Sequence, residues 1–112
     1  MRYISTRGAA PVLNFGEAMM TGLARDGGLY VPETVPVMTR EDIAALAGLP
    51  YEDIAYRVMR PFLGDIFSDA EFRSLLTKAY ANFGHTARAP LVQLGPNHFL
   101  LELFHGPTLA FK

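Results

Sequence analysis

Residues 104–112 read Phe-His-Gly-Pro-Thr-Leu-Ala-Phe-Lys and come at the end of the apolar run Phe99–Phe104, which Glu102 alone interrupts. Apolar content on both faces is typical of a strand that other layers of structure cover. The glycine–proline pair predicts a tight turn, and Thr108 is suited to the N-cap position of a following helix. Turns between a strand and a helix often carry function in α/β proteins. The segment therefore predicts an α/β parent protein.

Extended patterns occur towards both ends of the chain. Leu91–Leu94 and Phe99–Phe104 flank the turn-forming residues 95–97 and predict a β-hairpin. The β-branched and aromatic content of Tyr3–Thr6 and Leu29–Val31 predicts two short strands near the N-terminus. We therefore expect the strands to be few and short.

The middle of the chain is predicted to be helical. Three helices begin with a capping box, in which two side chains three residues apart satisfy each other's backbone N–H groups. The pairs are Asn14 with Glu17, Thr39 with Asp42, and Ser68 with Glu71. The first of these helices is expected to end near Ala24. A further helix starts after Pro50, is expected to break or kink at Pro61 and is closed by Gly64.

The helix after Ser68 carries the clearest apolar stripe and is expected to continue to about Phe83. The members of the stripe recur every three or four residues and are Phe72, Leu75, Leu76, Ala79, Tyr80 and Phe83. The helix after Pro50 has a stripe of its own, so we expect the two helices to pack together. These patterns predict an α+β chain, mainly helical, with a few short strands and a C-terminal β-hairpin.

The charge and the cysteine content exclude several classes of protein. Ten Lys and Arg residues against eleven Asp and Glu residues give a net charge of -1, which leaves no basic excess for nucleic-acid phosphates or anionic lipid. The chain has no cysteine, which excludes disulfides and thiolate metal sites and suits a reducing cytoplasm. No stretch is typical of a signal peptide or reaches the roughly 20 apolar residues of a membrane span. We expect a cytoplasmic protein that binds neither nucleic acid nor membranes.

Several polar residues have two interpretations. His85, His98 and His105 do not form a known metal-binding spacing, and no metal site is predicted. Asp26–Gly28 could form an anion-binding nest, although a glycine pair without a following helix is more often a simple turn. Burial could raise the pKa of Glu102 and keep it a protonated acid, or Glu102 is a hydrogen-bonded structural residue. The structural interpretation is favoured in each case, but the functional interpretation also stays open.

Lys112 is the strongest candidate for chemistry. It falls in the first turn of the predicted helix, where the positive end of the helix dipole lowers the pKa of an ammonium group. A neutral amine can attack an aldehyde, but neutrality near pH 7 needs a shift of roughly 3.4 units from about 10.4. The dipole supplies only about 1 kcal/mol of this, so burial would have to supply the rest. The residues alone favour a solvated lysine and leave the catalytic interpretation open.

The segment Phe104–Lys112 resembles the lysine motif of the threonine synthases at every position present. Two further stretches, Tyr3–Gly8 and Asp26–Pro32, are similar to the N-terminal domain of that family and occur in the same order. The resemblance implies an enzyme of pyridoxal-phosphate fold type II. It also implies that Lys112 is both catalytic and cofactor-binding: it would hold pyridoxal 5'-phosphate covalently and move protons as a general base and acid. His105–Thr108 would shape the turn that aims Lys112.

The resemblance further implies the reaction and the arrangement of the parent protein. The reaction is the conversion of O-phospho-L-homoserine and water to L-threonine and phosphate, the last step of threonine biosynthesis, by a carbon–oxygen lyase. We expect residues 1–89 to form a helical N-terminal domain and residues 90–112 to begin the pyridoxal-phosphate-binding catalytic domain. The glycine-rich loop that such enzymes use for the cofactor phosphate is not among the 112 residues, so we expect an N-terminal fragment that is inactive alone.

Two alternatives remain beside this interpretation. The chain could be a noncatalytic helical interaction module with no small-molecule site. It could also belong to another fold-type II pyridoxal-phosphate lyase that acts on a different amino acid. A phosphate-binding loop rich in serine and glycine is required by the enzyme interpretations only.

Overall fold

The computed structural model describes residues 1–111, which form four helices and two small antiparallel sheets. In chain order the elements are β1 (Tyr3–Ser5), α1 (Phe15–Thr21), β2 (Tyr30–Pro32), α2 (Arg40–Ala44), α3 (Tyr51–Leu63), α4 (Asp69–Tyr80), β3 (Leu91–Gly95) and β4 (His98–Leu101). The predicted α+β class, mainly helical with a C-terminal hairpin, is confirmed.

Each sheet is a single antiparallel pair. β1 pairs with β2, so that Tyr3 lies opposite Pro32, and Leu13 forms an additional bridge to Tyr3. β3 pairs with β4 in the predicted hairpin. The hairpin turn contains Asn97 with a φ of 57°, a left-handed conformation that asparagine tolerates better than most residues. The two sheets are separated in sequence by all of the longer helices.

The core lies between α3 and α4. Ala55, Leu63, Phe72 and Leu76 are buried in one cluster, and removal of their apolar surface from water stabilises the fold by about 25 cal/mol per Å². Partly buried aromatic residues surround the cluster, namely Phe15, Tyr51, Tyr56, Phe67 and Tyr80. The predicted packing of the two helices is therefore confirmed. Leu75, which was predicted to share the apolar stripe, is 45% exposed, because one step along a helix turns the side chain by about 100°.

The three predicted capping boxes are all present, at the starts of α1, α2 and α4. In the first, Asn14 Oδ1 accepts from the N–H of Glu17 at 2.9 Å, and Glu17 Oε2 accepts from the N–H of Asn14 at 2.9 Å. Each box satisfies N–H groups that have no partner inside the helix. The starts of these helices are thus determined by local sequence.

Two helix ends differ from the prediction. The helix α1 ends at Thr21, before Ala24, because Gly22 takes a φ of 69° and leaves the helical conformation. The helix α4 ends at Tyr80 and does not reach Phe83. The helix α3 does not break at Pro61 and continues to Leu63, and Gly64 closes it as predicted. Its last turn is held by burial of the Leu63 side chain and by Arg60 Nη1, which donates to the carbonyl of Gly64.

Two predictions near the C-terminal end are also wrong. The second hairpin strand ends at Leu101 and does not continue to Phe104. The helix predicted to begin at Thr108 is not formed within residues 1–111. Leu109 has a φ of 56° and its N–H donates to the carbonyl of Gly106 at 3.0 Å. This left-handed residue closes a turn and interrupts the helical path.

Candidate active-site turn

Residues Phe104–Leu109, which we call the motif turn, follow the hairpin directly. The N–H of Glu102 donates to the carbonyl of Pro90 at 3.0 Å and extends the contact between the two hairpin limbs beyond the last strand residue. The chain then turns at Gly106, which is buried. The hairpin therefore holds the beginning of the motif turn, and the burial of Gly106 holds its centre.

Glu102, two residues before the motif turn, pairs with His105 inside it. Glu102 Oε2 lies 2.7 Å from His105 Nε2, and only about a fifth of each side chain is exposed. At this distance the two side chains share one hydrogen bond. Glu102 is therefore hydrogen-bonded, as its structural interpretation predicts. The role predicted for His105, to shape the turn that aims Lys112, stays a prediction, because Lys112 lies outside the described residues.

The segment after α4 contacts the motif turn from the other side. The N–H of Gly84 donates to the carbonyl of His105 at 2.8 Å. The ring of His85 lies 5.1 Å from that of His105, measured between ring centroids. A Cβ added at Gly106 would lie 3.1 Å from the ring of Phe83, closer than ordinary van der Waals contact. Sequence reasoning missed these contacts, because no spacing rule connects residues so far apart in the chain.

A groove of about 370 Å³ lies beside the motif turn. Tyr51 and Tyr80 contribute aromatic walls from α3 and α4, and Phe83 and Thr108 line it from the two segments described above. The rings of Tyr51 and Tyr80 meet edge to face, with 4.8 Å between their centroids. Burial, and secondarily the neighbouring Tyr51, raises the pKa of the Tyr80 hydroxyl. Aromatic side chains thus line the groove together with aliphatic and polar residues.

Arg88 fastens the loop before β3 to the helical core. Its Nη2 donates to Glu52 Oε1 at 2.6 Å, and Nη1 donates to the carbonyl of Thr86 at 2.9 Å. The pKa of the Glu52 carboxyl is lowered, first by the N–H of its own backbone at the start of α3 and then by the Arg88 guanidinium. Arg88 has a φ of 59°, an uncommon conformation for a residue with a side chain. This contact also escaped the sequence analysis.

The two N-terminal motifs meet at the carboxylate of Asp26. Asp26 accepts from the hydroxyl of Ser5 at 2.8 Å, from the N–H of Ala9 at 2.9 Å and from the N–H of Gly28 at 3.0 Å. The N–H of Gly28 is the largest cause of a lowered pKa at Asp26. The N–H of Gly27 donates to the carbonyl of Ala24 at 2.8 Å. Since both glycine N–H groups already have acceptors, Asp26–Gly28 is a structural turn and not an anion nest.

Lys112, the residue predicted to be catalytic and cofactor-binding, lies outside the residues that the structure describes. His98 is an exposed residue at the start of β4. Within residues 1–111, the structure brings no three His, Asp or Glu side chains together in a way that could hold a metal ion. No helix in the described part of the chain has the length and apolar character needed to cross a membrane.

Comparison with known proteins gives consistent matches. A family profile described as "Threonine synthase N terminus" matches residues 2–80. The threonine synthase of Pseudomonas aeruginosa is 59% identical over 112 residues, which are 100% of this chain and 24% of that protein.

Two solved structures extend the comparison to the fold. A crystal structure of pyridoxal-phosphate-bound threonine synthase from Brucella melitensis superimposes with a TM-score of 0.94 and is 53% identical, covering 99% of this chain and 24% of that one. Yeast threonine synthase gives a TM-score of 0.88 at 37% identity, covering 98% of this chain and 23% of that one. The chain therefore spans about a quarter of the length of these relatives.

Proposed function

The chain belongs to the threonine synthase family, and we propose that it is the N-terminal part of an enzyme that converts O-phospho-L-homoserine and water to L-threonine and phosphate. The observation that carries the proposal is the anchored motif turn directly before Lys112. Its sequence matches the lysine motif of the family, and the structure holds it between the hairpin and the segment after α4. We assign the enzyme to the cytoplasm, as part of the same proposal.

Lys112 is the residue that we assign to the chemistry. Its amine binds the aldehyde of pyridoxal 5'-phosphate and, as general base and acid, moves protons between carbon atoms of the substrate. For both tasks the nitrogen must spend part of its time neutral, which requires a pKa well below the usual lysine value of about 10.4. When bound, the cofactor supplies an electron sink for the negative charge that develops on the substrate.

The described residues suit the attachment of the cofactor to Lys112 but do not provide a site for its phosphate. A turn held by backbone and side-chain hydrogen bonds suits the task of aiming a reactive lysine, because reacting groups need a defined geometry. The cofactor phosphate needs several N–H donors in one place. The turn Asp26–Gly28 does not provide them, since its glycine N–H groups are already bonded. We therefore assign the phosphate to the three quarters of the relatives' length that this chain does not span.

We place the boundary between the helical N-terminal domain and the start of the catalytic domain after residue 89, and assign the parent to fold type II. The support comes from the hairpin, whose side chains are apolar and exposed on both faces. Leu91, Leu94 and Phe99 are 67%, 60% and 54% exposed. Strands with apolar residues on both faces are typical of sheets covered by helices on either side. The core between α3 and α4 belongs instead to residues 1–89.

The test of the proposal is to identify the lysine that binds the cofactor covalently. The full-length protein is loaded with pyridoxal phosphate, reduced with borohydride and digested, and the labelled peptide is sequenced. We expect the label on Lys112. Lys78, which is exposed on α4, is an internal control for nonspecific reaction. A label confined to Lys78 or to another lysine would show that the assignment of Lys112 is wrong. A protein that retains no cofactor and makes no threonine would instead favour a noncatalytic module.

A further inference from the structure

We propose that Phe83–His85, the segment that follows α4, positions the motif turn and, through it, Lys112. The inference rests on the proposed function, because the position of Lys112 matters only if this residue holds the cofactor. It adds to that function a group of positioning residues from the helical part of the chain. These residues lie outside all three motifs by which the sequence resembles its family.

Three consecutive residues contact the motif turn, each with a different kind of group. The N–H of Gly84 donates to the carbonyl of His105 at 2.8 Å. The ring of Phe83 covers Gly106, and the ring of His85 lies 5.1 Å from that of His105. A backbone hydrogen bond, an aromatic wall and a ring pair restrict both the position and the direction of the chain at Gly106. The side-chain pair of Glu102 with His105 restricts it from the hairpin side.

The same segment is packed against the helical core. The ring of Phe83 lies 5.2 Å from that of Tyr80, and the ring of Tyr80 lies 4.8 Å from that of Tyr51. Both tyrosines pack against the buried cluster between α3 and α4. Because close-packed interiors have low compressibility and transmit strain, a contiguous series of rings connects the core to Gly106. The helical domain thus serves as the support for the turn.

The absence of a side chain at Gly106 is what lets the chain lie this close to Phe83. Gly106 does not have a positive φ, and it precedes Pro107, which favours the extended backbone that any residue can adopt. Glycine is therefore not required there by backbone conformation. It is favoured by the ring of Phe83, which lies 3.1 Å from the position of a Cβ and would have to shift to admit one. A larger side chain must displace either the ring or the turn that carries Lys112.

The experiment is a double-mutant cycle in the full-length protein. Gly106→Val is made alone and together with Phe83→Ala, which removes the ring and makes room for the valine. Phe83→Ala alone completes the cycle, and Gly106→Ala is a milder first member if the valine variant does not fold. Gly95→Ala is the matched control, because Gly95 lies outside Phe83–His85 and the motif turn and no atom lies within 4 Å of its added Cβ.

Three quantities are measured on each variant: the dissociation constant of pyridoxal phosphate, the pH at which the visible absorption of the bound cofactor changes, and the thermal midpoint of unfolding. We expect Gly106→Val to raise the dissociation constant about tenfold, the size expected of overpacking. We expect it also to move the pH midpoint, which reports the proton affinity of the Lys112 nitrogen. Adding Phe83→Ala should bring the dissociation constant to within about threefold of that of the Phe83→Ala protein and return the pH midpoint to the value of that protein. Gly95→Ala should resemble the wild type.

The outcomes separate this inference from the proposed function. An unchanged dissociation constant and pH midpoint in Gly106→Val would overturn it, as would a loss that Phe83→Ala does not restore. A lower thermal midpoint with an unmoved pH midpoint would show a structural role alone and would also overturn it. If wild-type protein carries no cofactor on Lys112, the proposed function fails, and the positioning role fails with it.

Discussion

The guanidinium Nη2 of Arg88 lies 2.6 Å from Glu52 Oε1 and ties the loop before the hairpin to the first turn of α3. The two side chains are 17% and 28% exposed, so this ion pair is shielded from solvent more than the other Arg–carboxylate pairs in the described part of the chain. It joins the start of α3 to the loop before β3, for which the sequence pattern predicts no helix or strand. The pair therefore contributes to the position of everything that follows Arg88.

The first prediction concerns the pH dependence of stability. The pKa of Glu52 is lower in the folded protein than its usual value of 4.5, through its own backbone N–H and then Arg88. The carboxylate therefore stabilises the fold above about pH 4.5, and this stabilisation is lost as the pH falls through the folded-state pKa. We expect wild-type protein to lose more stability than Glu52→Gln between about pH 7 and about pH 3 in urea unfolding. Equal losses in the two proteins would contradict the prediction.

The second prediction uses two adjacent leucines on α4. Leu76 is 4% exposed and belongs to the core, whereas Leu75 is 45% exposed. We expect Leu76→Ala to lower the free energy of unfolding by about 2–5 kcal/mol because it leaves a cavity. Leu75→Ala, the same chemical change on the adjacent residue, should lower it by roughly 0.5 kcal/mol or less, as surface substitutions do. Denaturant titration measures the free energy of unfolding of both variants. Similar decreases in the two would show that Leu76 is not a core residue.

The third prediction concerns the carboxylate that joins the two N-terminal motifs. Asp26 accepts from Ser5, Ala9 and Gly28, and Asn in its place has one acceptor oxygen where the carboxylate has two. We expect Asp26→Asn to lower the thermal midpoint of unfolding and to loosen the loops on either side of it. Asp65→Asn, at an exposed aspartate between α3 and α4, is the matched control. Calorimetry compares the two variants, and identical midpoints would contradict a structural role for Asp26.

The fourth prediction concerns the 112-residue chain expressed by itself. We expect it to react with pyridoxal phosphate no more strongly than free lysine does. The glycine N–H groups of its turn Asp26–Gly28 are occupied by internal hydrogen bonds, and its hairpin is exposed on both faces. The imine absorption band at near-equimolar cofactor measures the reaction. Stoichiometric reaction at Lys112, with turnover of O-phosphohomoserine, would show that these residues already form a complete site.

Features that depend on neighbours in the sequence were predicted well. The three capping boxes were identified from residues three positions apart, because the two hydrogen bonds of each box form within a single turn of chain. The hairpin was identified from two apolar stretches around a turn, for the same reason. The ends of elements were predicted less well. Pro61 lies inside α3 and not at its end, since burial of Leu63 outweighs the cost of one missing backbone hydrogen bond.

The sequence by itself determined where the four helices of the described residues begin, that the chain is α+β, and that residues 104–112 resemble the lysine motif of the threonine synthases. Only the tertiary structure decided which distant residues meet: Phe83 with Gly106, His85 with His105, and Glu52 with Arg88. The physical reason is that apolar periodicity shows which face of an element is buried but not what is packed against it. That choice depends on the paths of the connecting loops, where single residues such as Leu109 adopt conformations that no local pattern specifies.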